Sequence, residues 1–284
     1  MKNILIPTDF SLAAWNATEF ALRLFADTKC TFYFLNAYTP EIYSNRLMAG
    51  NTLTATKSCS AKKGSEKGLA MLIDRIHKNY DNGLHSFIKI PTFSLLIEEV
   101  KEAVGKYSLD LIVMGSKGTG EEETRVMGRN TFRVLEHVHS CPVLVIPKDF
   151  KFKRLTNVAL VSGENYFYKE AELYPLIEIG KIFKSNVHII NIQKSAHRLN
   201  SLQKLNLNTI GKTLDQIPHY SHHIILQDSL PCRLGEFVDQ YDCQIVVVFS
   251  SNNEFMKNLR LNTVVDQSVF CVDVPILSLT SSEN

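Results

Sequence analysis

Residues 109–147 place a glycine-rich loop between two short apolar runs. The first run, Leu111–Met114, is partly β-branched and ends at a glycine, which is typical of a buried parallel strand, and the second run is Val143–Ile146. The loop contains Gly115, Gly118, Gly120 and Gly128, and a helix is expected to begin at Asn130-Thr131. A strand, a glycine loop and a helix N-terminus together favour phosphate binding. Glycine lets backbone N–H groups approach an anion, and the helix dipole favours negative charge.

The spacing of three of these glycines is more specific than the general pattern. Gly115, two residues, Gly118, nine residues and Gly128 form the pattern G-2x-G-9x-G. Together with Asn130-Thr131 and the opening of the chain, Ile4–Asp9 (ILIPTD), this pattern resembles the ATP-binding universal stress proteins. The resemblance is strong over roughly the first half of the chain, and it suggests a tandem member of that family.

The resemblance implies an α/β fold of two tandem doubly wound parallel-sheet domains, each with strand order 3-2-1-4-5, as in the adenine nucleotide alpha hydrolase-like proteins. Ligands bind such sheets where the strand order reverses, beyond the carboxyl ends of the strands. In this chain those ends are Pro7-Thr8-Asp9 and Met114-Gly115, which lie about a hundred residues apart in the sequence. Both motif fragments therefore belong to one expected crevice.

The expected ligand is ATP or a related adenine nucleotide, with or without Mg²⁺. The candidate binding residues are Pro7, Thr8, Asp9, Ala37, Met114, Gly115, Gly118, Gly128, Arg129, Asn130 and Thr131. By the resemblance, Asp9 would meet the nucleoside, the backbone of Ala37 the adenine edge, and Met114 the base. Asp9 has an alternative role in capping the first helix beside Ser11. Asn130 and Thr131 could either bind phosphate or cap the fourth helix.

Arg129 departs from the family pattern, which has Ser or Thr directly after the third glycine. The loop also carries three acidic residues, Glu121–Glu123, which would disfavour a triphosphate unless cations such as Lys117, Arg125 and Arg129 offset them. Arg129 could clamp phosphate through its guanidinium, or it could pair with the glutamates and close the cradle. The two interpretations predict opposite effects of Arg129→Ser on affinity.

Strand-like and helix-like segments alternate along the chain and predict parallel sheets with helices on both faces. The expected strands are 3–6, 31–36, 87–90, 111–114 and 143–146, and then 157–161, 187–192, 224–226, 244–248 and 274–277. The second series repeats the first, which indicates a duplicated domain. We expect domains at residues 1–148 and 149–284, joined by a polar, basic linker, residues 148–155.

The second half has no glycine after Gly235. Its fourth strand runs into Phe249–Asn253, so side chains would fill the place where backbone would meet phosphate. We therefore expect a partner domain without a nucleotide. We expect the two halves to pair through their last strands, Pro142–Ile146 and Pro275–Leu279, because an unpaired apolar edge strand promotes aggregation. A homodimer of the whole chain remains open.

Composition argues against several functions. The formal net charge is +2, so no general attraction to nucleic acid or membrane is implied. The six cysteines are scattered, without zinc spacing, and are interpreted as reduced, buried side chains. No apolar run approaches the ~20 residues of a membrane span, and the N-terminal run is too short for a signal peptide, so a cytoplasmic location is expected.

His219, His222 and His223 precede an expected strand, and we interpret them as an exposed polar turn rather than a metal site. No nucleophile elbow, Walker lysine or carboxylate pair indicates catalysis, and slow ATP hydrolysis is the most that the pattern allows. Two main function classes remain. One is a nucleotide-binding stress or signalling protein, and the other is a scaffold of the same fold that binds no nucleotide.

Overall fold

Two series of alternating strands and helices form the protein. The computed structural model describes residues 1–38, 54–118, 127–162, 168–193, 200–225, 230–250 and 273–280. The first series is β1 (Lys2–Pro7), α1 (Leu12–Leu24), β2 (Cys30–Ala37), α2 (Thr54–Asn79), β3 (His85–Thr92), α3 (Leu96–Tyr107), β4 (Leu111–Gly115), α4 (Arg129–His137) and β5 (Val143–Ile146). The second is β6 (Asn157–Ser162), a 3₁₀ helix (Glu170–Leu173), α5 (Tyr174–Phe183), β7 (Asn186–Gln193), α6 (Ser201–Thr213), β8 (His219–Ile225), α7 (Leu230–Gln240), β9 (Ile245–Phe249) and β10 (Ile276–Leu279).

The strands form a ten-stranded sheet with the order β3-β2-β1-β4-β5-β10-β9-β6-β7-β8. Within each half the paired strands are parallel, and each half has the order 3-2-1-4-5, which confirms the predicted fold class. The halves meet where β5 and β10 pair antiparallel, with Leu144 opposite Leu277. Neither of these two strands is therefore an exposed edge.

Two apolar layers cover the two faces of the sheet, and each layer contains residues from both halves. One layer includes Phe20, Phe34 and Phe249, and the other includes Leu35, Val145 and Phe237. The strands are apolar runs because a parallel sheet is buried on both faces, and β5 and β9 have no exposed residue. The two halves consequently share a continuous core.

The local sequence determines where helix α1 begins and how it packs. Ser11 is its N-cap, and the Ser11 Oγ accepts a hydrogen bond from the backbone N–H of Ala14 at 3.1 Å, as the sequence predicted. Trp15 of the same helix is buried within the core layer. The Cζ of Arg75 lies 3.5 Å from the centroid of the Trp15 ring, which fixes α2 against α1.

The connection between the halves, which the sequence indicated as a polar, basic linker, also contains two aromatic residues that pack against the core. Phe150 and Phe152 pack against the core, with the Phe152 ring centroid 5.1 Å from that of Phe20. The Asn16 side-chain amide donates to the carbonyl oxygens of Pro147 and Phe150 at 3.0 and 2.8 Å. The basic residues dominated the composition of this segment, but the two phenylalanines determine where it lies.

The histidines at 219, 222 and 223 lie within β8, so their prediction as an exposed polar turn was wrong. They form part of the register with β7, in which His222 lies opposite Ile190. A histidine-rich strand has little apolar content, so periodicity marked only its last residues.

Burial explains why the three cysteines with described side chains are not ionised. Cys30, Cys141 and Cys243 are free and buried. Burial raises the pKa of Cys30 to about 11 and the pKa of Cys141 and Cys243 to about 12, so these thiols are not ionised near neutral pH. None of the helices in the described ranges is long and apolar enough to cross a membrane.

Candidate functional site

A cleft opens at the carboxyl ends of β1 and β4, where the strand order of the first half reverses. Its volume is about 150 Å³, and it opens to solvent. The predicted residues that line it are Pro7, Thr8, Asp9, Ala37, Met114, Gly115, Gly118, Gly128, Asn130 and Thr131. Arg129 is the exception, because it is the exposed first residue of α4 and does not line the cleft. The acidic residues Glu121–Glu123 and the cation Arg125 fall outside the described residues.

The turn after β1 holds the Asp9 carboxylate at the mouth of the cleft. The Thr8 Oγ1 accepts a hydrogen bond from the N–H of Phe10 at 3.0 Å, and the Asp9 Oδ1 accepts one from the N–H of Ser11 at 3.0 Å. Phe10 has φ 63°, a left-handed conformation that an aromatic residue rarely adopts. The turn is therefore built to a fixed shape by its own side chains. Ser11, not Asp9, caps α1 through the N–H of Ala14.

Gly115 lets the end of β4 lie directly against the start of α1. A Cβ at this position would be 2.9 Å from the backbone carbonyl carbon and oxygen of Ala13, which is closer than real Cβ contacts. At Gly118, a Cβ would be 2.9 Å from the Asp9 Oδ2 and so would displace a carboxylate rather than backbone. The two glycines thus bring the β4 loop close to α1 and to Asp9, respectively.

Gly128 starts α4 beside the same cleft. Its N–H donates to the Ser116 carbonyl at 2.7 Å, which brings the two ends of the loop together. Gly128 is the N-cap residue and has no side chain with which to cap the first turn of α4. The helix therefore presents its positive end to the cleft without a capping side chain from Gly128.

Asn130 and Thr131 lie inside the first turn of α4, so the alternative in which they cap it was wrong. The Thr131 hydroxyl donates to the Gly115 carbonyl at 2.9 Å, and Thr131 is 4% exposed. This hydrogen bond joins α4 to the end of β4. Thr131 therefore fixes one wall of the cleft, and its hydroxyl oxygen can still accept a hydrogen bond.

Four lining residues were not among the sequence candidates: Ala14, Asn36, Leu96 and Lys117. The buried Asn36 side chain donates to the Thr8 carbonyl at 2.7 Å and so ties β2 to the turn after β1. Ala14 and Leu96 come from the starts of α1 and α3. Lys117 was considered only as an offset to the acidic residues, and it lines the cleft between two of the glycines.

The described residues of the second half differ from the first half at the position equivalent to Gly115. Ser116 and Ser250 each donate their N–H to the last residue of the neighbouring strand, which makes Phe249 the counterpart of Gly115. The Phe249 ring stacks on Tyr168 with centroids 3.9 Å apart, and both are buried. A large buried side chain therefore stands in the second half where the first half has a glycine. Residues 251–253 of the predicted filling segment lie outside the described residues.

Residues 1–147 match the universal stress protein family. Over 99% of its length, the chain has the fold of a universal stress protein from Archaeoglobus fulgidus DSM 4304, with 15% identity and a TM-score of 0.66 over 97% of that chain. A functionally unknown protein from Pseudomonas aeruginosa PAO1 is similar at 10% identity and TM-score 0.57, with 99% of this chain and 92% of that chain covered.

The cytoplasmic domain of a prokaryotic cation chloride cotransporter also has this fold, with 10% identity and a TM-score of 0.53, over 99% of this chain and 95% of that one. No protein of curated function matches the sequence. At such identities the solved structures establish the fold alone. The family match is independent of them and covers more than half of the 284 residues. The chain therefore belongs to the universal stress protein family.

Proposed function

We propose that the chain is a cytoplasmic, tandem universal stress protein that binds ATP or a related adenine nucleotide in its first half and acts in a stress response or in signalling. The observation that carries this proposal is the cleft at the β1 and β4 ends, lined by three spaced glycines and the first turn of α4. Close backbone and a helix N-terminus suit phosphate, which carries its charge on oxygens that accept N–H hydrogen bonds.

The lining suggests how a nucleotide would lie. The phosphates would meet the loop between Gly115 and Gly128 and the Lys117 ammonium. The base would lie towards Ala37 and Met114, where backbone polar groups and a buried thioether are available. The Asp9 carboxylate at the mouth would accept hydrogen bonds from ribose hydroxyls.

The second half would serve as a partner domain. Its five strands repeat the order of the first half, which supports duplication of the whole domain. Phe249 stands at the counterpart of Gly115 and stacks on Tyr168, which supports our expectation of one nucleotide per chain. Duplication with loss of one site would leave the antiparallel β5–β10 contact as the function of the second copy.

A scaffold that binds no nucleotide is the second candidate. The observation that favours it is that Arg129 stands in place of the hydroxyl residue of the family and does not line the cleft. Phosphate would then have one fewer donor at the helix N-terminus.

The experiment that separates the two is identification of nucleotide released from the purified full-length protein, followed by ATP binding with and without Mg²⁺. We expect an adenine nucleotide to be released or, from empty protein, ATP to bind in preference to GTP. The matched control is Gly118→Asp, which would put a second carboxylate beside Asp9. Absence of both release and binding in the wild-type protein would establish the scaffold instead.

A further inference from the structure

A cluster of histidine and aromatic side chains lies on the second half, apart from the cleft. His188 of β7 lies opposite Tyr220 of β8, and His222 follows on the same face of β8. Phe237 of α7 and Tyr241, which follows α7, cover the two histidines. The ring centroids are 5.0 Å apart for His222 and Phe237, and 4.9 Å apart for His188 and Tyr241.

The two imidazoles are in direct contact. The His188 Nδ1 and the His222 Nε2 are 3.1 Å apart, and His188 is 7% exposed. Two ring nitrogens at this distance form a hydrogen bond only when one carries a proton and the other does not. The contact is therefore compatible with a neutral pair or with a pair that shares one added proton, but not with two added protons.

The first half contains the same cluster without imidazoles. The strand registers make Tyr33, Ile90 and Tyr107 the counterparts of His188, His222 and Tyr241. Tyr33 and Tyr107 stack with centroids 4.5 Å apart. Of these residue types, histidine is the one whose ordinary pKa lies between about pH 5 and pH 8. At equivalent positions the second half thus has two histidines, and the first half has a tyrosine and an isoleucine.

We propose that His188 and His222 form an acid-sensitive latch, which holds β8 and α7 against β7 while the pair carries at most one added proton and releases them when it carries two. Two imidazolium rings in contact would repel each other and lose their hydrogen bond. Because β8 is an outer strand of the sheet, it has one strand neighbour, β7, to hold it in place.

No carboxylate of the described residues contributes to the pKa shifts of the pair. Burial lowers the pKa of His188, and the charge of His222 lowers it further; burial also lowers the pKa of His222, followed by His223. In the described part of the chain, the other titratable side chains in ring contact with the pair are Tyr220 and Tyr241. The carboxylates of α7 and its end, Glu236, Asp239 and Asp242, are exposed and contribute to neither shift.

The direction of the pH dependence follows from these shifts. In the folded protein both histidines have a pKa below the ordinary value of 6.5, so the folded state takes up protons less readily than the unfolded state. The stabilisation by the cluster is complete above that value, and it decreases as the pH falls from there towards the lower folded pKa. Within the described residues, no group of three metal-ligating side chains competes with this role.

The test is amide hydrogen exchange of the full-length protein at about pH 8 and about pH 5, compared as protection factors. In the wild-type protein we expect protection in β8 and α7 to fall by about tenfold or more at the lower pH, with less change in β3 and α3. The variant His188→Tyr/His222→Ile introduces the residues that the first half has at these positions. We expect its β8 and α7 to lose no more protection at the lower pH than β3 and α3 do. The control His223→Gln leaves the pair intact and should keep the extra loss, moved to slightly higher pH because His223 no longer lowers the pKa of His222.

Equal loss of protection in the wild-type protein and in the double variant would overturn the proposal. Imidazole ¹⁵N chemical shifts of the wild-type protein provide a measurement that does not depend on folding of any variant. Two coupled protonations below the ordinary range would support the latch. Independent titration of His188 and His222 at the ordinary value would contradict it.

Discussion

At the scale of single residues, Gly115 and Gly118 have the same sequence signal but different neighbours. A Cβ at Gly115 would meet the rigid backbone of Ala13, whereas a Cβ at Gly118 would meet the Asp9 side chain. The signal marks both as close approaches. Only the structure distinguishes which one is required for folding and which one positions a carboxylate.

We predict that Gly115→Ala lowers the free energy of unfolding by about 1–3 kcal/mol, because overpacking against backbone forces a shift. Gly118→Ala should cost clearly less stability, since the Asp9 side chain can rotate away. Both variants should weaken ATP binding. Urea unfolding and binding isotherms measure these effects, and equal destabilisation by the two substitutions would contradict the distinction.

A substitution of Arg129 tests whether its guanidinium replaces the hydroxyl group that the family pattern has after the third glycine. If its guanidinium reaches phosphate from the first turn of α4, Arg129→Ser should weaken ATP binding by about 1.5–3 kcal/mol, as for a charge-assisted hydrogen bond. Arg133, one turn further along the same helix, provides a control through Arg133→Ser. Affinity that rises in Arg129→Ser would show that the arginine closes the site instead.

At the scale of elements, the sequence predicted most of the first half because buried parallel strands and amphipathic helices have distinct periods. The strands β4 and β5 have nearly the bounds that the pattern indicated. Segments whose position depends on a few side chains were less predictable. The His-rich β8 had too little apolar content, and Phe150 and Phe152 were hidden among basic residues.

The cleft shows the same limit. Residues at strand ends and glycines could be predicted, because the topology and the spacing mark them. Asn36 and Leu96 could not be predicted, since each belongs to an ordinary strand or helix and reaches the cleft only through the packing of that element. Arg129 illustrates the reverse case, because it lies within the motif but is exposed and does not line the cleft.

The segment between the halves gives a prediction for an element. Phe152 packs between Phe20 and Phe183, with ring centroids 5.1 and 6.2 Å away. Phe152→Ala should lower the free energy of unfolding by about 2 kcal/mol, less than the ~3–5 kcal/mol of a fully buried phenylalanine. The neighbouring exposed Lys153→Ala should change it by less than about 0.5 kcal/mol. An unchanged midpoint for Phe152→Ala would mean that the segment is not anchored there.

At the scale of the whole molecule, the continuous sheet and core should make the two halves unfold together. Leu144 and Leu277 are both fully buried and lie opposite each other at the junction. The sequence has one tryptophan, and it is Trp15 in the first half, so its fluorescence reports on that half alone. Far-UV circular dichroism reports on both halves.

We predict that the fluorescence and circular dichroism transitions coincide in urea, as expected for a two-state unit. Leu144→Ala and Leu277→Ala should each lower stability by about 2–5 kcal/mol, and the double substitution by less than the sum of the two. A fluorescence transition clearly separated from the circular dichroism transition in the wild-type protein would show that the halves are independent.

Titration calorimetry of the full-length protein with ATP and Mg²⁺ measures how many nucleotide sites the duplicated fold has per chain. We predict one site per chain. Binding should be lost in Gly115→Val, where the added carbon would meet the Ala13 backbone. It should be retained in Phe249→Leu, which alters only the equivalent position of the second half. No detectable binding by the wild-type protein, or two equivalent sites per chain, would contradict the account.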